Sequence, residues 1–343
     1  MINVGIIGIG SISEGYGKPD DPLSYCHVGG ILYSDRVRLA AIADLDPVRR
    51  TGFKEKWGDR FPDLTYFDSA EGMLKDTKLD VVSVCVRGPM HHQVMIDVIK
   101  AVPRAIFLEK PPTCSLGEMD AILNLASEDH IPITVSYSRH WSPHVLRLQE
   151  LVQNEDLIGE VQTVIGYVGG TFLSFASHTT DLICQCAGYD PLSVMAQGHY
   201  RPEEFIPDGY EGEPVIDGTL IEFKSGKKGI HIGADGAHGG FCCEVIGSKG
   251  MVRAGIYIPP FACDTDKNPI DLSKYDIPED RSVFTIAYNQ IAAYLEGGPL
   301  PHCTNDQFKT VHEIGFASIE SMITGKRIEI PTTNRTRKIY ANG

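Results

Sequence analysis

Apolar positions in the first part of the chain alternate between short continuous runs and stretches with helical spacing. The runs predict strands over Val4–Gly8, Val37–Ala43, Val81–Val86, Ala105–Leu108 and Ile133–Ser136. The intervening stretches predict helices over Val48–Trp57, from a Ser69 cap through Leu74, over Met90–Ala101 and over Leu116–Ser127. Strands and helices that alternate in this order are typical of βαβ units. Residues 1–137 are therefore predicted to form a doubly wound parallel sheet of the α/β class.

The pattern changes after about Ser138, where strand-like runs follow one another with few helices between them. The strands are predicted over Val161–Tyr167, Ser193–Gln197, Val215–Phe223, Gly229–Ala234, Cys242–Ile246 and Met251–Tyr257. Helices are predicted over Pro143–Asn154, His178–Cys186, Ser282–Leu295 and Asn305–Ile323, and a polar loop over Pro259–Asp280. This order predicts a second, α+β domain over residues 138–343, with an open and mostly antiparallel sheet.

A glycine turn, Gly8-Ile9-Gly10, follows the first strand directly. Two glycines let the backbone turn tightly and approach a pyrophosphate at a helix N-terminus, although Ser13 replaces the third glycine of the usual fingerprint. The second strand ends at Asp44, where a carboxylate accepts hydrogen bonds from the adenosine ribose and repels a 2′-phosphate. These features predict a Rossmann domain that binds NAD through Gly8, Gly10, Ser11, Ile12 and Asp44.

Two further segments are predicted to lie near the cofactor. The predicted strand Val81–Val86 leads into the segment Val84–Pro89, whose backbone is predicted to pass under the nicotinamide half. Arg87, Pro89 and His92 are the candidate contacts. Residues 14–30 form an insertion in the first crossover that is rich in Gly, Pro and Asp. This insertion either is a surface loop or brings Tyr25 and His27 to the substrate, and the sequence leaves both readings open.

The predicted strand Ala105–Leu108 continues into Glu109-Lys110-Pro111-Pro112. A lysine at the carboxyl end of a parallel strand projects into the ligand crevice, where partial burial lowers its pKa toward the working range. The two prolines restrict the backbone after Lys110, and Glu109 is a candidate ion-pair partner that orients it. We therefore predict that Lys110 lies at the chemical centre and that Glu109 supports the cofactor side of the site.

Together with Gly8-x-Gly10, Asp44 and the later Ser177-His178-Thr179-Thr180-Asp181, the Glu109-Lys110-Pro111 run resembles the Gfo/Idh/MocA family of glucose–fructose oxidoreductase and inositol dehydrogenase. The likeness extends over almost the whole chain. It implies a Rossmann domain, an open-faced sheet domain that binds a sugar or cyclitol, and assembly through that sheet into a homo-oligomer, a dimer or a tetramer.

In dehydrogenases of this family, the lysine of the E-K-P run and the histidine of an H-x-x-D segment act on the substrate hydroxyl. The resemblance therefore implies that Lys110 and His178 are catalytic. Both roles suit the chemistry, because the hydroxyl proton must leave and the developing oxyanion must be held as a hydride departs. Residues implied in substrate binding are Lys110, Arg139, His140, Trp141, Ser174, His178 and Asp181.

One position departs from the family pattern. Many inositol-dehydrogenase-like members carry an aspartate four residues before the histidine, and this chain has Ser174 there. Either Asp181 orients His178, or the proton passes through Lys110 and water, or the site has moved away from simple dehydrogenation. The main hypothesis is an NAD-dependent sugar or polyol dehydrogenase. The alternatives are a redox-neutral sugar-modifying enzyme (lyase, glycosidase or epimerase) and a non-catalytic sugar-sensing regulator.

Composition and charge narrow the class of partner. The net charge of −14 disfavours nucleic acid and anionic membrane surfaces, and favours a small neutral substrate. Neither a signal peptide nor a long apolar run is evident, so we expect a cytoplasmic protein. The nine cysteines are scattered, which predicts reduced, buried thiols. Cys184-x-Cys186 lacks the spacing of a zinc site, so no metal is expected.

Overall fold

The computed structural model describes residues 1–153, 155–202, 205–233, 240–256, 258–273 and 280–342, without the side chains of residues 155 and 156. The chain divides into two compact units. The first contains Met1–Ser138 and Asp280–Asn305, and the second contains Arg139–Glu279 and Asp306–Gly343.

The first unit is built on a six-stranded parallel sheet, ordered β3-β2-β1-β4-β5-β6. Its strands are β1 (Ile2–Ile7), β2 (Val37–Ala43), β3 (Thr65–Phe67), β4 (Val81–Val84), β5 (Ala105–Leu108) and β6 (Ile133–Val135). Its connecting helices are α1 (His27–Leu32), α2 (Pro47–Trp57), α3 (Ala70–Asp76), α4 (Gly88–Lys100) and α5 (Leu116–Glu128). Every residue of β4 and β5 is buried, as expected of strands covered by helices on both faces. The predicted doubly wound sheet is confirmed.

Local side chains fix where these helices begin. Asp46 Oδ1 accepts from Val48 N at 2.8 Å, and Pro47 occupies the first turn. Ser69 and Ser115 cap α3 and α5 in the same way, since their hydroxyls accept from Gly72 N and Glu118 N. Each cap satisfies an amide that the helix leaves unpaired, so these helix starts follow from short sequence signals.

The second unit is built on an eight-stranded sheet, ordered β14-β13-β12-β7-β11-β10-β8-β15. Its strands are β7 (Val161–Tyr167), β8 (Pro191–His199), β10 (Val215–Phe223), β11 (Lys228–Ile232), β12 (Cys242–Gly247), β13 (Gly250–Gly255), β14 (Ile258–Asp264) and β15 (Ile328–Glu329); a separate small pair is β9 (Glu211–Gly212) with β16 (Ile339–Tyr340). The first three helices of this unit are α6 (Pro143–Gln153), α7 (Glu155–Ile158) and α8 (Ser177–Ala187). Among the described strands of the eight-stranded sheet, β7 and β11 pair in parallel and the other neighbours pair antiparallel, so the predicted mostly antiparallel sheet is confirmed.

The two C-terminal helices belong to different units. Helix α9 (Val283–Leu295) is part of the first unit, whereas α10 (Asp306–Thr324) is part of the second. The predicted division placed all of residues 138–343 in one domain, and the structure differs over Asp280–Asn305. The reason is apolar packing, because α9 lies against α1 where Gly30 has no side chain. A Cβ on Gly30 would lie 2.4 Å from Phe284 Cβ.

The predicted loop Pro259–Asp280 is wrong at its start, where β14 pairs antiparallel with β13. Pro259 and Pro260 misled the prediction, but β14 is an edge strand, and an edge strand tolerates residues without an amide donor. Residues 274–279 of that loop lie outside the described residues, as do the predicted element ends at Asn154, Ala234 and Tyr257.

All nine cysteines are described, and each is buried with a free thiol, as predicted. None of the helices in the described ranges is both long and apolar enough to cross a membrane.

Candidate active site

The glycine turn after β1 has the backbone shape that a dinucleotide requires. Gly8 has φ +92°, and a Cβ there would lie 2.9 Å from the backbone of Cys85 and Val86. A Cβ on Gly10 would meet nothing within 4 Å, so the turn is open at this position. This open space beside the Gly10 backbone fits a pyrophosphate, so the residues present fit the dinucleotide.

Ser13 takes over the local role of the missing third glycine. Its hydroxyl accepts from Gly10 N at 2.7 Å and donates to Gly10 O at 2.8 Å, and it is buried. Ser11 and Ile12 lie in the π-helical turn Ser11–Gly15, with Ser11 exposed and Ile12 half-buried. The turn is therefore closed by a side chain rather than by glycine flexibility.

Asp44 lies beside the glycine turn. Its Oδ2 accepts from Ile9 N at 2.6 Å and its Oδ1 accepts from Asp46 N at 2.9 Å. Each carboxylate oxygen keeps a second lone pair for a ribose hydroxyl. Arg49 Nη1 lies 3.7 Å from Asp44 Oδ2, with an exposed side chain. Asp44 thus joins β2 to the turn and can also serve as the ribose acceptor.

The E-K-P run follows β5, and Lys110–Pro111 is a cis peptide. Glu109 is buried, and its Oε1 accepts from His27 Nε2 at 2.9 Å. Its Oε2 accepts from the Lys110 backbone amide at 3.3 Å. Burial acts to raise the pKa of Glu109, but the hydrogen bond and charge of His27 and the charge of Lys110 outweigh it and hold this pKa below its usual value. Lys110 itself is half-buried.

His27 is fully buried in α1, so neither reading of the insertion describes it. It is neither a surface residue nor a side chain open to a polyol. Tyr25 is half-buried and its hydroxyl lies 2.5 Å from Ser138 Oγ. The insertion thus delivers a buried histidine to Glu109.

A second buried histidine, His91, joins the loops after β4 and β5. Its Nδ1 lies 2.7 Å from Pro111 O and its Nε2 lies 2.9 Å from Val86 O. Burial lowers the pKa of His91, although both carbonyls act in the opposite direction. The predicted candidate His92 is its half-buried neighbour on α4. Arg87 is exposed at the N-cap of α4 and Pro89 is in the first turn.

In the second unit, His178 lies in the first turn of the buried helix α8. Its Nε2 lies 3.4 Å from Arg139 Nη1, and its ring meets Phe241 edge-on at 5.8 Å. The Arg139 guanidinium stacks over the same Phe241 ring, 4.6 Å from its centroid. The structure thus brings Arg139 and His178 together, with one aromatic ring as their shared support.

Asp181 contacts the neighbouring histidine of the Arg139-His140-Trp141 run. His140 Nδ1 lies 2.7 Å from Asp181 Oδ2, and both residues are buried. Tyr189 donates to Asp181 Oδ1 at 3.3 Å. Trp141 is buried, with its ring tilted against that of His140. Asp181 was one of the groups proposed to orient His178. In the structure its carboxylate pairs with His140 instead.

Ser174 has a carboxylate partner that the sequence did not indicate. Glu213 Oε1 accepts from the amides of Leu173 and Ser174, and its Oε2 accepts from Ser174 Oγ, each at 2.6 Å. Burial raises the pKa of Glu213 despite these donors. A carboxyl group therefore lies next to position 174, but it comes from a residue 39 positions later in the chain.

Three of the residues described in the structure were not among the sequence candidates: His91, Glu213 and Tyr288, whose hydroxyl lies 2.8 Å from His27 Nδ1. His27 was a candidate only for substrate contact, and its bond to Glu109 was not predicted. His91 is an isolated histidine in an apolar segment, a pattern that also describes ordinary core histidines. Glu213 and Tyr288 lie in segments without a recognised motif. Only their contacts reveal them.

The strand order β3-β2-β1-β4-β5-β6, a glycine turn after the first strand and an acidic residue after the second define a dinucleotide-binding domain. Residues 2–137 match the Gfo/Idh/MocA family model, an oxidoreductase family with a NAD-binding Rossmann fold. Residues 2–137 therefore carry the NAD-binding Rossmann domain of the Gfo/Idh/MocA oxidoreductase family, and the resemblance predicted from the motifs is confirmed.

Named relatives agree with this assignment. The chain is 24% identical to an inositol 2-dehydrogenase of Rhizobium meliloti (strain 1021), over 74% of this chain and 75% of the relative. It is 23% identical to a scyllo-inositol 2-dehydrogenase (NAD(+)) of Bacillus subtilis (strain 168), over 90% and 93%. The fold matches an oxidoreductase of Agrobacterium radiobacter solved with NAD+, L-tartaric acid and magnesium, with a TM-score of 0.77, 15% identity and coverage of 96% and 98%.

Proposed function

We propose that this protein is a NAD(H)-dependent dehydrogenase that moves a hydride between a sugar or cyclitol hydroxyl and nicotinamide. The observation that carries the proposal is the Glu109-Lys110 arrangement after β5, in which a buried carboxylate holds the backbone of a half-buried lysine. Bound NAD supplies the hydride acceptor. The remaining tasks, which are proton removal and alkoxide stabilisation, belong to the chain.

Lys110 is proposed to donate a hydrogen bond to the reacting oxygen and to stabilise its developing negative charge. An ammonium group has three donors and no acceptor, so it binds an oxyanion more strongly than a neutral hydroxyl. The anionic Glu109 balances the charge of Lys110 while its own oxygens are held by His27 and by the Lys110 amide.

His178 is proposed to take the hydroxyl proton. A neutral imidazole nitrogen accepts a proton near neutral pH, which makes histidine the usual base in this role. Arg139 is a permanent cation 3.4 Å from His178 Nε2, and it disfavours a second positive charge on the ring. In this proposal, Arg139 promotes onward transfer of the proton after each turnover.

The proposed substrate class rests on the relatives, since two of them are named inositol dehydrogenases. The proposed partners are a small carbohydrate or cyclitol, with no nucleic acid and no membrane, and the proposed compartment is the cytoplasm. A homo-oligomer, a dimer or a tetramer, is also proposed. It is supported by a row of apolar side chains on the outward face of the eight-stranded sheet. Met195 and Leu220 are paired and exposed in this row, and Ile230 and Ile165 continue it on the next two strands.

The test is NADH formation from NAD with a panel of inositols and aldoses. We expect the absorbance of NADH to increase with at least one polyol. We expect kcat to fall about 10²–10⁴-fold for Lys110→Met and for His178→Gln. Lys100→Met, at an exposed lysine on α4, is the matched control and should keep wild-type kcat.

Two results would replace the proposal. Polyol conversion without net NADH, by protein that purifies with bound NAD, would indicate the redox-neutral sugar-modifying enzyme. Saturable sugar binding in calorimetry, with no conversion of any panel member in the presence of NAD, would indicate the regulator.

A further inference from the structure

We propose that His27 is a positioning residue: it holds the Glu109 carboxylate, and through that carboxylate it fixes the main chain of Lys110. This inference rests on the proposed role of Lys110. It assigns a purpose to the segment that interrupts the first crossover, because α1 begins at the end of that segment and presents His27 to the end of β5.

The contacts form one continuous chain through β4, α9 and α1 to the segment that follows β5. Ser83 of β4 lies 2.7 Å from the Tyr288 hydroxyl of α9. That hydroxyl lies 2.8 Å from His27 Nδ1, and His27 Nε2 lies 2.9 Å from Glu109 Oε1. Glu109 Oε2 then accepts from the Lys110 amide. His27 and Tyr288 are 0% exposed, so water does not compete for these bonds.

Hydrogen-bond chemistry fixes the direction of this chain. An ionised carboxylate only accepts, so His27 Nε2 must carry the proton that it shares with Glu109. In a neutral ring Nδ1 then accepts from the Tyr288 hydroxyl, whose oxygen accepts from Ser83. With a neutral ring this tautomer satisfies every member, and with a charged ring Nδ1 donates to the Tyr288 hydroxyl instead. In both states Nε2 donates to Glu109 Oε1, and a flip of the ring would break that bond.

Aromatic packing holds the ring in place. Phe107 meets His27 edge-on with centroids 4.9 Å apart, and the Phe284 ring lies 4.6 Å away. These rings pack against the imidazole, while the hydrogen bonds to Tyr288 and Glu109 fix its orientation. A substitution that keeps the ring but removes its nitrogens thus separates packing from hydrogen bonding.

Removal of His27 takes the histidine donor from the buried Oε1 of Glu109, while the Lys110 amide still donates to Oε2. Because a buried charge with fewer donors is more costly, Glu109 then takes up a proton more readily or moves. Loss of His27 removes leading causes of the low pKa of Glu109 and raises that pKa. Lys110, His91, Cys85 and Tyr288 are the other titratable groups whose charges couple to Glu109. A protonated Glu109 no longer balances Lys110 and holds its amide more weakly.

The experiment compares His27→Phe, which keeps an aromatic ring, with His27→Gln, which keeps a donor for Glu109. The matched control is Phe284→Leu, which disturbs the same packing and leaves the hydrogen bonds. Two readouts are taken on the full-length protein: residue-resolved hydrogen exchange at the Lys110 amide, and kcat and KM for NAD over a range of pH.

For His27→Phe we expect exchange at the Lys110 amide to be about 10-fold faster, since a lost hydrogen bond is worth about 1 kcal/mol or more. We expect kcat to fall about 10–100-fold with KM for NAD nearly unchanged, and the acidic limb of the pH profile to move to higher pH. His27→Gln should recover most of both effects, and Phe284→Leu should show neither at a comparable loss of Tm.

Unchanged exchange at Lys110 in His27→Phe would overturn the proposal whatever the kinetics show. Faster exchange with wild-type kcat would overturn the positioning role, as would equal losses in His27→Phe, His27→Gln and Phe284→Leu. If the wild type oxidises no polyol, the dehydrogenase proposal fails by itself, and hydrogen exchange still decides whether His27 holds Lys110.

Discussion

Asp44 combines two tasks in one carboxylate, because it ties down the glycine turn through Ile9 N and is placed to accept from a ribose. Asp44→Asn keeps an oxygen for Ile9 and removes the charge that repels a 2′-phosphate, beside the cationic Arg49. We expect the ratio of kcat/KM with NADP to kcat/KM with NAD to rise about 10–100-fold, the effect of about 1–3 kcal/mol.

The measurement is initial rates with both cofactors. Asp46→Asn, which changes a neighbouring carboxylate that caps α2, is the control and should leave the ratio near that of the wild type. An unchanged ratio in Asp44→Asn would mean that another group selects the cofactor.

Residues that belong to compact motifs were predictable from the sequence. Gly8, Asp44 and Glu109 each sit at a strand end that the apolar pattern locates within a residue or two. The observed contacts of Glu213 and His27 were not predictable. Glu213 lies 39 positions from Ser174 and His27 lies 82 positions from Glu109, so both pairings depend on tertiary packing. Polar contacts between residues far apart in the chain leave no periodic signal in the sequence. The site therefore includes residues that no motif identifies.

At the scale of elements, β11 carries a buried histidine that makes the second unit sensitive to acid. His231 Nε2 lies 3.2 Å from Val168 O, and burial lowers the pKa of His231 to about 4. The unfolded chain binds this proton at its ordinary pKa of about 6.5, so the stabilising contribution is full above that pH and is lost as the pH falls toward 4.

In the wild type, His231 should lower the free energy of unfolding by up to about 3 kcal/mol as the pH falls from 6.5 to 4. His231→Phe should lack this loss, so its free energy of unfolding should depend less on pH over that range. Urea unfolding across this pH range measures it, with the exposed His199→Gln as the control. An identical pH slope in His231→Phe and the wild type would show that other groups cause the acid sensitivity.

The regular elements were predicted better than the irregular ones. Four strands have the predicted bounds: Val37–Ala43, Ala105–Leu108, Val161–Tyr167 and Val215–Phe223. A buried strand is a short continuous apolar run and a half-buried strand alternates with a two-residue period, and both patterns are strong signals. Strand β3 and the π-helical turn at Ser11–Gly15 were missed, since each is short and carries few apolar residues. Strand β14 was missed for its prolines.

At the scale of the molecule, the outward face of the eight-stranded sheet is the basis of the proposed oligomer. The apolar row formed by Met195, Leu220, Ile230 and Ile165 runs across four neighbouring strands. Contiguous apolar patches on sheets commonly mark protein–protein interfaces.

A charge in that row should disrupt association. We expect Leu220→Glu to raise the subunit dissociation constant about 100-fold or more, since it removes apolar burial and adds an unpaired charge. Sedimentation velocity over a concentration series measures this, with Lys224→Glu, in an exposed turn of the same sheet, as the control. An identical sedimentation profile for wild type and Leu220→Glu would place the interface elsewhere.

The first unit contains Asp280–Asn305, a segment that is translated after most of the second unit, so the first unit is completed late in synthesis. The six-stranded sheet is complete by Ser138, but Tyr288, the partner of His27, emerges only after much of the second unit has been translated. At about 5–20 residues per second, the nascent sheet waits on the order of ten seconds or more for its last helix. During that interval the apolar surface of α1 around Gly30 is uncovered, so this is the stage at which a nascent chain most needs a chaperone.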